Sequence, residues 1–274
     1  MNHRSNGKLP PAPKRASNNF LFLFDVDGTL IGPDYLRGRG DFSRFIKNKI
    51  IGNQAIFGLN TSRPRSEVKA VFDELGLNGP IIAESGAYFL RKPGSKINLS
   101  PQADGHLRQH IVAVIKEIAK DHGAVIMVTD NKKKLEDPSI PILILVTKSR
   151  HFSASVYVRH RGKISSYHTN KLFNQLSRLK VGNHWLIGKI ADRGKITISN
   201  SRSNKFRATE LLIKTWFPDK LAVMISDEEE PPVKTKKMVF CSVKNATKEY
   251  KKRCYYVARY PGFLGLKEII NKFI

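Results

Sequence analysis

The segment that most constrains the fold of this chain is LFLFDVDGTL, which spans residues 21–30. Its first part is a short, aromatic-rich apolar run, and such a run bounded by a glycine predicts a fully buried strand. Residues two apart in an extended chain point to the same side, so Asp25 and Asp27 are expected to face one pocket. Ligands of open α/β sheets bind beyond the carboxyl ends of the strands, which is where this pair lies.

The spacing of these two carboxylates restricts their chemistry. They repel each other unless a cation lies between them or one of them holds a proton. Mg²⁺ is the cation expected here, because it prefers a few carboxylates together with phosphate oxygens of a substrate. One carboxylate can then attack phosphorus, while the other protonates the leaving oxygen and activates water. The alternative interpretation is a strand that ends in a solvated turn.

Residues 24–30, FDVDGTL, resemble the first motif of the haloacid dehalogenase (HAD) superfamily of phosphohydrolases. In that superfamily the first aspartate is the nucleophile and the second is the general acid and base. The resemblance implies these roles for Asp25 and Asp27, with both residues also at the metal, and it implies Mg²⁺ as the cofactor.

Composition limits the class of protein. The chain has 274 residues, 41% of them hydrophobic, which is enough for one large or two modest domains. Two cysteines are too few for a disulfide scaffold, so a reducing cytoplasm is the expected location. Residues 1–19 are polar and basic and predict a disordered tail, with a transit peptide as the less favoured alternative. No apolar run approaches the length of a membrane span, and no membrane partner is expected.

The segments after the first strand alternate between the two types of secondary structure. Helices are predicted at residues 41–51 and 66–75, and strands at residues 54–59 and 80–83. This alternation predicts an α/β fold with a Rossmann-like parallel sheet and right-handed crossovers.

A second polar motif, NTSRP, follows the second predicted strand at residues 60–64. A hydroxyl and backbone N–H groups at a helix N-terminus can bind an anion, and the same hydroxyl can cap the helix. The motif is similar to the second HAD motif of cap-bearing phosphatases, which implies that Thr61 binds phosphate, with Ser62 as the alternative. Residues 75–89 resemble the same group, although Glu84-Ser85-Gly86 stands where the group usually has Glu-Asn-Gly.

The pattern changes to α+β between residues 92 and 202. Helices are predicted at residues 105–122 and 170–181, and strands at residues 124–129, 140–147, 155–158, 184–190 and 195–199. This order resembles a C2-type cap inserted into a HAD core, as in the Cof-like, sucrose-phosphatase-like and mannosyl-3-phosphoglycerate-phosphatase-like group. The resemblance implies a tail at residues 1–19, core parts at residues 20–91 and 203–274, and a cap at residues 92–202.

The segment SNKFR at residues 203–207 opens a predicted helix that runs to residue 217. A lysine in the first turn of a helix is slightly disfavoured by the helix dipole, so a local anionic partner is expected. The segment resembles the third HAD motif, which implies that Lys205 neutralises the phosphoryl group, with Arg207 as the alternative. Family members often have a glycine after this lysine, whereas this chain has Phe206.

A further buried strand, LAVMI at residues 221–225, ends in an acidic segment, SDEEEPP at residues 226–232. Another acidic residue at this edge of the sheet is an expected Mg²⁺ ligand. The segment resembles the fourth HAD motif, Gly-Asp-x-x-Asn-Asp, with Ser226 in place of the glycine. The resemblance implies that Asp227 is a metal ligand, and a one-residue deletion would let Glu230 replace the missing aspartate. The alternative is an acidic loop without a metal role.

The expected function is that of a Mg²⁺-dependent phosphomonoesterase acting on a sugar phosphate or a related small metabolite. The formal net charge of +25 is high for such an enzyme. The segment between Ser139 and Thr209 contains fourteen Lys or Arg residues and a single acidic residue, Asp192. Such a field attracts polyanions, so the less favoured alternative is a weakly active HAD-like protein that binds nucleic acid. The oligomeric state is not predicted.

Overall fold

A computed structural model of the chain describes residues 19–32, 35–101, 103–120, 123–179, 184–227 and 237–274. The strands in these ranges are β1 (Phe20–Phe24), β2 (Ile56–Asn60), β3 (Ile81–Ala83), β4 (Tyr88–Leu90), β5 (Asn98–Leu99), β6 (Val125–Val128), β7 (Ile142–Val146), β8 (Ser153–His160), β9 (Lys163–Ile164), β10 (Trp185–Ile190), β11 (Lys195–Asn200), β12 (Leu221–Ser226), β13 (Met238–Ser242) and β14 (Tyr256–Val257). The helices are α1 (Tyr35–Asn53), α2 (Arg65–Leu75), α3 (Leu107–Lys120), α4 (Ser166–Leu179), α5 (Lys205–Trp216), α6 (Lys248–Lys251) and α7 (Gly262–Phe273).

The described residues form two compact units. The first comprises the described residues up to Leu59 together with Phe72–Gly79 and Ile213–Ile274, and the second comprises Asn60–Val71 and Pro80–Leu212. The units reflect how closely the residues pack, whereas the predicted domains reflect where an insertion enters the chain. The predicted domain boundaries therefore stay a prediction, and the predicted tail lies almost wholly outside the described residues.

The first unit is built on parallel strands in the order β14-β13-β12-β1-β2. All five residues of β1 are buried, as expected for a parallel strand that is covered on both faces. Its phenylalanines supply much of the packing: Phe22 stacks on Phe57 of β2 with ring centroids 5.1 Å apart. Phe42 of α1 stacks on Phe263 of α7 at 4.5 Å, so aromatic contacts also join the two helices.

The register of these strands determines where the polar residues lie. Phe24, the last residue of β1, is paired with Ile225 of β12 and with Leu59 of β2. Parallel strands that are paired in this way end at the same edge of the sheet. Asp25 and the Ser226-Asp227 pair therefore leave the sheet side by side.

The second unit contains the antiparallel strands β3-β4-β5 and a larger sheet with the order β10-β11-β8-β7-β6, in which β9 pairs with β8. Helices α3 and α4 pack on one face of the larger sheet, because each presents an apolar stripe at helical spacing. Trp185 is only 4% exposed in this core. A smaller cluster of Leu135, Leu143 and Leu145 lies on the same sheet.

The predicted fold class is confirmed. Parallel strands alternate with helices in the first unit, and the α+β pattern predicted between residues 92 and 202 is present as helices and strands in the predicted order. The bounds differ most at α1, which begins at Tyr35 instead of residue 41, and at α4, which begins at Ser166 instead of residue 170, while β8 is twice the predicted length. The predicted ends of α3 and α4, at residues 122 and 181, lie outside the described residues.

Candidate active site

Asp25 follows the last residue of β1 and is 6% exposed. Its backbone N–H continues the pairing with β12 by donating to the carbonyl of Ile225 at 2.9 Å. The carboxylate accepts hydrogen bonds from the N–H of Val26 at 2.8 Å and from the hydroxyl of Ser226 at 3.4 Å. These contacts hold a buried carboxylate at the carboxyl edge of the sheet, where the sequence predicts the nucleophile.

Asp227 lies against the loop that follows Asp25. The hydroxyl of Thr29 donates to Asp227 Oδ1 at 2.9 Å. Gly28 has a φ of +74°, and a Cβ atom built on it would lie 1.9 Å from Asp227 Oδ2. A glycine is therefore required here for two reasons, its left-handed backbone and the space taken by the carboxylate. The structure thus brings Asp25 and Asp227 to one loop, as the sequence predicts.

Hydrogen bonds from a third segment hold the same loop and the Asp227 backbone. The N–H of Thr247 donates to the carbonyl of Asp227 at 3.1 Å, and the side chain of Asn245 donates to the carbonyl of Gly28 at 2.8 Å. Sequence reasoning did not identify Asn245 or Thr247, because their role depends on contacts between segments distant in the chain.

Asp27 differs from Asp25 in exposure. Asp27 is exposed and lies in the turn after β1, which ends at Phe24, so the extended-chain argument for a shared direction does not apply to it. The N–H of Gly28 donates to the carbonyl of Ile31, which closes this turn. Asp27 therefore sits beside a buried carboxylate while remaining open to solvent.

Close to this loop, the buried phenol of Tyr250 stays neutral. Burial is the main cause that raises the pKa of Tyr250 well above its usual range. Cys254 and Cys241 raise this pKa further, and the Asp25 charge has a smaller effect in the same direction. Cys241 and Cys254 are buried free thiols, and burial raises the pKa of Cys254 to about 11. These groups are therefore protonated at neutral pH and add no charge beside Asp25.

In the second unit, Thr61 is fully buried and follows β2 directly. Its N–H donates to the carbonyl of Ile82, and its hydroxyl accepts from the N–H of Arg63 at 3.1 Å. This local hydroxyl-to-backbone bond is the turn contact expected of a threonine before a helix. Ser62 is partly exposed in the same loop.

Lys205 is the first residue of α5 and is 8% exposed. Its carbonyl accepts from the hydroxyl of Thr209 at 2.7 Å and from the side-chain amide of Asn60 at 3.5 Å. Asn60 immediately precedes Thr61, so the structure brings the start of α5 to the loop that carries Thr61 and Ser62. Arg207, the alternative to Lys205, is exposed.

The Glu84–Gly86 turn packs against the same region of the second unit. A Cβ atom on Gly86 would lie 2.3 Å from the carbonyl oxygen of Asn204, so this glycine allows a close approach to the start of α5. Glu84 and Ser85 both have positive φ angles, of 45° and 56°. Buried Glu84 was not predicted as a site residue, although its burial together with its charge marks it as unusual. Burial and the Glu84 charge also raise the pKa of Tyr88.

The donors of the first unit fit the predicted metal. Mg²⁺ is bound in proteins through one or two carboxylates together with phosphate oxygens and waters, and Asp25 and Asp227 supply two carboxylates beside one loop. Within the ranges that the structure describes, no group of three or more His, Cys, Asp or Glu residues is arranged to hold a metal ion. Glu230, the fourth predicted ligand, lies outside the described residues.

Two further surface properties bear on function. A cavity of about 630 Å³ lies beside α7 and is lined by Arg259, Tyr260, Leu264, Glu268, Asn271 and Lys272, so it contains none of the predicted site residues. None of the described helices combines the length and the apolar character needed to cross a bilayer.

Comparison with known structures supports the same class of fold. A haloacid dehalogenase-like hydrolase from Bacteroides thetaiotaomicron is 14% identical, with 93% of this chain and 99% of that chain covered and a TM-score of 0.65. A Thermoplasma acidophilum protein is 17% identical, with coverage of 92% and 97% and a TM-score of 0.63. A sucrose-phosphatase from Synechocystis, in complex with sucrose and phosphate, is 14% identical, with coverage of 93% and 98% and a TM-score of 0.52. A comparison with curated proteins gives no match.

The fold, with carboxylates at the edge of its parallel sheet, defines an α/β protein with a Rossmann-like core. The family model of the haloacid dehalogenase-like hydrolases matches residues 22–224. This match covers well over half of the chain, so the protein belongs to the haloacid dehalogenase-like hydrolase family, and the resemblance seen in its sequence motifs is confirmed.

Proposed function

We propose that this hydrolase is a Mg²⁺-dependent phosphomonoesterase that acts through an aspartyl-phosphate intermediate on Asp25. The observation that carries the proposal is the placement of two carboxylates, Asp25 and Asp227, beside one tight loop at the ends of β1 and β12. A buried carboxylate that is held by hydrogen bonds is well oriented for attack on phosphorus.

The two aspartates of the first motif have different roles, nucleophilic attack by Asp25 and proton transfer by Asp27. The carboxylate of Asp25 attacks phosphorus, the bond from phosphorus to the leaving oxygen breaks, and Asp27 donates a proton to that oxygen. Water then attacks the phosphorus of the aspartyl phosphate, Asp27 takes its proton, and phosphate leaves with Asp25 restored. The exposure of Asp27 supports this role, because a group that exchanges protons with water needs access to solvent.

Thr61 and Lys205 are proposed to bind the phosphoryl oxygens, with Ser62 as the alternative to Thr61. Burial of Lys205 at the start of a twelve-residue helix supports this role, because a helix N-terminus favours a bound anion and an adjacent ammonium adds to that preference. The connection through Asn60 supports a shared task for the two positions.

Magnesium is proposed to bind at Asp25 and Asp227, with Asp27 and Glu230 as further predicted ligands. When bound, Mg²⁺ would neutralise charge on the phosphoryl oxygens and lower the repulsion between substrate and carboxylates. Thr29 and Ser226 hold the two carboxylates through hydrogen bonds of 2.9 Å and 3.4 Å.

The proposed substrate class is a sugar phosphate or a related small phosphorylated metabolite. The similarity in fold to a sucrose-phosphatase supports this class. A cytoplasmic location, where such metabolites occur, stays a prediction from the two cysteines.

The proposal is tested by measuring phosphate release from a panel of phosphorylated metabolites and from p-nitrophenyl phosphate, with Mg²⁺ and with EDTA. We expect activity only with the metal, and we expect Asp25→Asn to lower kcat by at least about 10⁴-fold because it removes the nucleophile. Asp41→Asn is the matched control, since Asp41 has a 70% exposed side chain on α1. Hydrolysis by Asp25→Asn at the wild-type rate would rule out the covalent mechanism.

A second candidate function is binding of nucleic acid through the basic surface of the second unit. Lys132 and Lys195 lie 5.6 Å and 5.8 Å from the ring centroid of Tyr157, which places two cations at one aromatic side chain. Binding through phosphate contacts weakens steeply as salt increases. Absence of binding to single-stranded or double-stranded DNA or RNA at low salt would exclude this function.

A further inference from the structure

The loop that carries Thr61 and Ser62 is held by three consecutive carbonyl groups. The carbonyl of Thr61 accepts from the N–H of Ser85 at 3.1 Å, and the carbonyl of Arg63 accepts from the N–H of Glu84 at 3.1 Å. Between them, the carbonyl of Ser62 accepts from Nη1 of Arg150 at 2.6 Å. The N–H of a trans peptide points away from its C=O, so these bonds also fix the direction of the loop's N–H groups.

Arg150 makes this contact from a distant part of the chain. It lies between β7 and β8, 88 residues after Ser62, and is only 8% exposed. Among the described residues, the acceptors that its guanidinium reaches are neutral: the Ser62 carbonyl and the hydroxyl of Ser153, at 3.1 Å. Burial of a cation with neutral acceptors is costly, and an apolar side chain of similar size would pack without that cost.

Glu84 holds the segment from which Arg150 projects. Its carboxylate accepts from the N–H of His151 at 3.1 Å, from the N–H of Phe152 at 2.9 Å and from the hydroxyl of Ser153 at 2.8 Å. The same Ser153 hydroxyl accepts from Arg150, so a continuous set of hydrogen bonds runs from Glu84 through Ser153 and Arg150 to the carbonyl of Ser62.

We propose that Arg150 is a positioning residue of the phosphate-binding loop, and this inference rests on the proposed function. Its guanidinium fixes the Ser62–Arg63 peptide, and Glu84 fixes the segment that carries Arg150. Because Arg150 acts on the loop that binds the phosphoryl group, its substitution should weaken binding equally for substrates with different leaving groups.

The test compares Arg150→Met with Lys148→Met. Lys148 is exposed and lies two residues earlier on the same segment, so the control removes the same charge without removing the bond to Ser62. We expect Arg150→Met to raise the inhibition constant of inorganic phosphate and the KM of p-nitrophenyl phosphate by about ten-fold, the effect of losing one hydrogen bond from a charged donor. Lys148→Met should change both constants by less than about two-fold.

A readout independent of activity is hydrogen exchange of the peptide that contains residues 61–63. Arg150→Met should speed exchange in this peptide, and Lys148→Met should not. Arg150→Lys, which keeps the charge and one donor group, should restore part of the phosphate affinity. Glu84→Gln should weaken phosphate binding in the same direction, and its effect should not add to that of Arg150→Met, because both act through one set of contacts.

The possible results separate the inference from the function on which it rests. An unchanged inhibition constant in a folded Arg150→Met protein would overturn the positioning role, whether or not exchange in the loop increases. A ten-fold weakening shared by Lys148→Met would also overturn it, because general loss of charge would then explain the effect. A wild-type protein without phosphatase activity or phosphate affinity would overturn the proposed function before any substitution is made.

Discussion

The two loops that carry the predicted site residues are held in different ways. In the first unit, the loop from Asp25 to Thr29 is held by steric fit and by neutral donors: Gly28 leaves room for the Asp227 carboxylate, and Thr29 donates to it. In the second unit, the loop at Thr61 accepts hydrogen bonds from the backbone N–H groups of Glu84 and Ser85 and from the guanidinium of Arg150, and the Glu84 carboxylate holds the segment that carries Arg150.

This difference predicts two kinds of sensitivity. The first loop should respond most to changes of shape, because the Asp227 carboxylate lies directly against Gly28. The second loop should respond most to the loss of a charged hydrogen-bonding group, because the Ser62 carbonyl is held by the Arg150 side chain from a distant part of the chain. The predictions below test this contrast in order of expected effect.

The largest effect in the first loop is expected from Gly28→Ala. The added methyl group would meet Asp227 Oδ2 at 1.9 Å, and the φ of +74° is unfavourable for alanine. We expect kcat/KM to fall by about 100-fold, because displacing a group of the site by 1 Å has effects of this size. The free energy of unfolding should fall by about 2 kcal/mol from the left-handed backbone alone. Phosphatase assays and urea unfolding measure the two effects.

Gly32→Ala is the matched control for this change. Gly32 belongs to the same loop region, and a Cβ atom built on it would meet nothing within 4 Å. Its substitution should leave kcat/KM within about two-fold of wild type and should not lower stability, since alanine restricts the unfolded chain. Equal losses in the two variants would show that this loop is not held by steric fit.

A smaller effect is expected from Thr29→Val, which keeps the shape of a fully buried side chain and removes its hydroxyl. Asp227 Oδ1 then loses its 2.9 Å hydrogen bond. Partners that orient a metal ligand typically contribute 10-fold to 100-fold in metal affinity, so the Mg²⁺ concentration for half-maximal activity should rise by about ten-fold. Stability should fall by about 1 kcal/mol.

The control for Thr29 is Thr29→Ser, which keeps the hydroxyl and removes a buried methyl group. It should lower stability by a comparable amount while leaving the Mg²⁺ dependence close to that of wild type. If the valine and serine variants needed the same Mg²⁺ concentration, the hydrogen bond to Asp227 would have no part in orienting a metal ligand.

The contrast between the loops also explains what the sequence could predict. The fold class followed from apolar runs and helical spacing, and the first loop followed from FDVDGTL, because its chemistry lies in adjacent residues. Local patterns also predicted β12 with Asp227 after it, and placed Lys205 in the first turn of a helix. In each case the information lies within about ten residues of chain.

The contacts of the candidate site that the sequence did not predict join residues that are distant in the chain. Arg150 contacts Ser62 across 88 positions, and Glu84 contacts Ser153 across 69. Nothing in the neighbourhood of Arg150 separates it from the many other basic residues of this chain, and the segment around Glu84, although it resembles the family, gives no sign of the contact with Ser153. The short strands β4, β5, β9 and β14 were missed for a similar reason, since two or three residues carry no usable periodicity.

The smallest effect is expected from Ser85→Asn, which tests the backbone conformation of the Glu84–Gly86 turn without removing the charge of Glu84 or Arg150. Ser85 has φ 56° and ψ 36°, in the left-handed region, where asparagine is favoured over most other residues. We expect the free energy of unfolding to rise by about 0.5 kcal/mol, a small part of the cost of a left-handed residue. Urea unfolding of the full chain measures the change.

Two further substitutions of Ser85 test whether the left-handed backbone is the cause of the change in stability. Ser85→Gly should also be stabilising, because glycine adopts this conformation without a steric penalty, although it gives up part of the gain by loosening the unfolded chain. Ser85→Val should be destabilising, since a β-branched residue is strongly disfavoured at positive φ. If asparagine and valine gave the same unfolding midpoint, the left-handed backbone would not limit stability here.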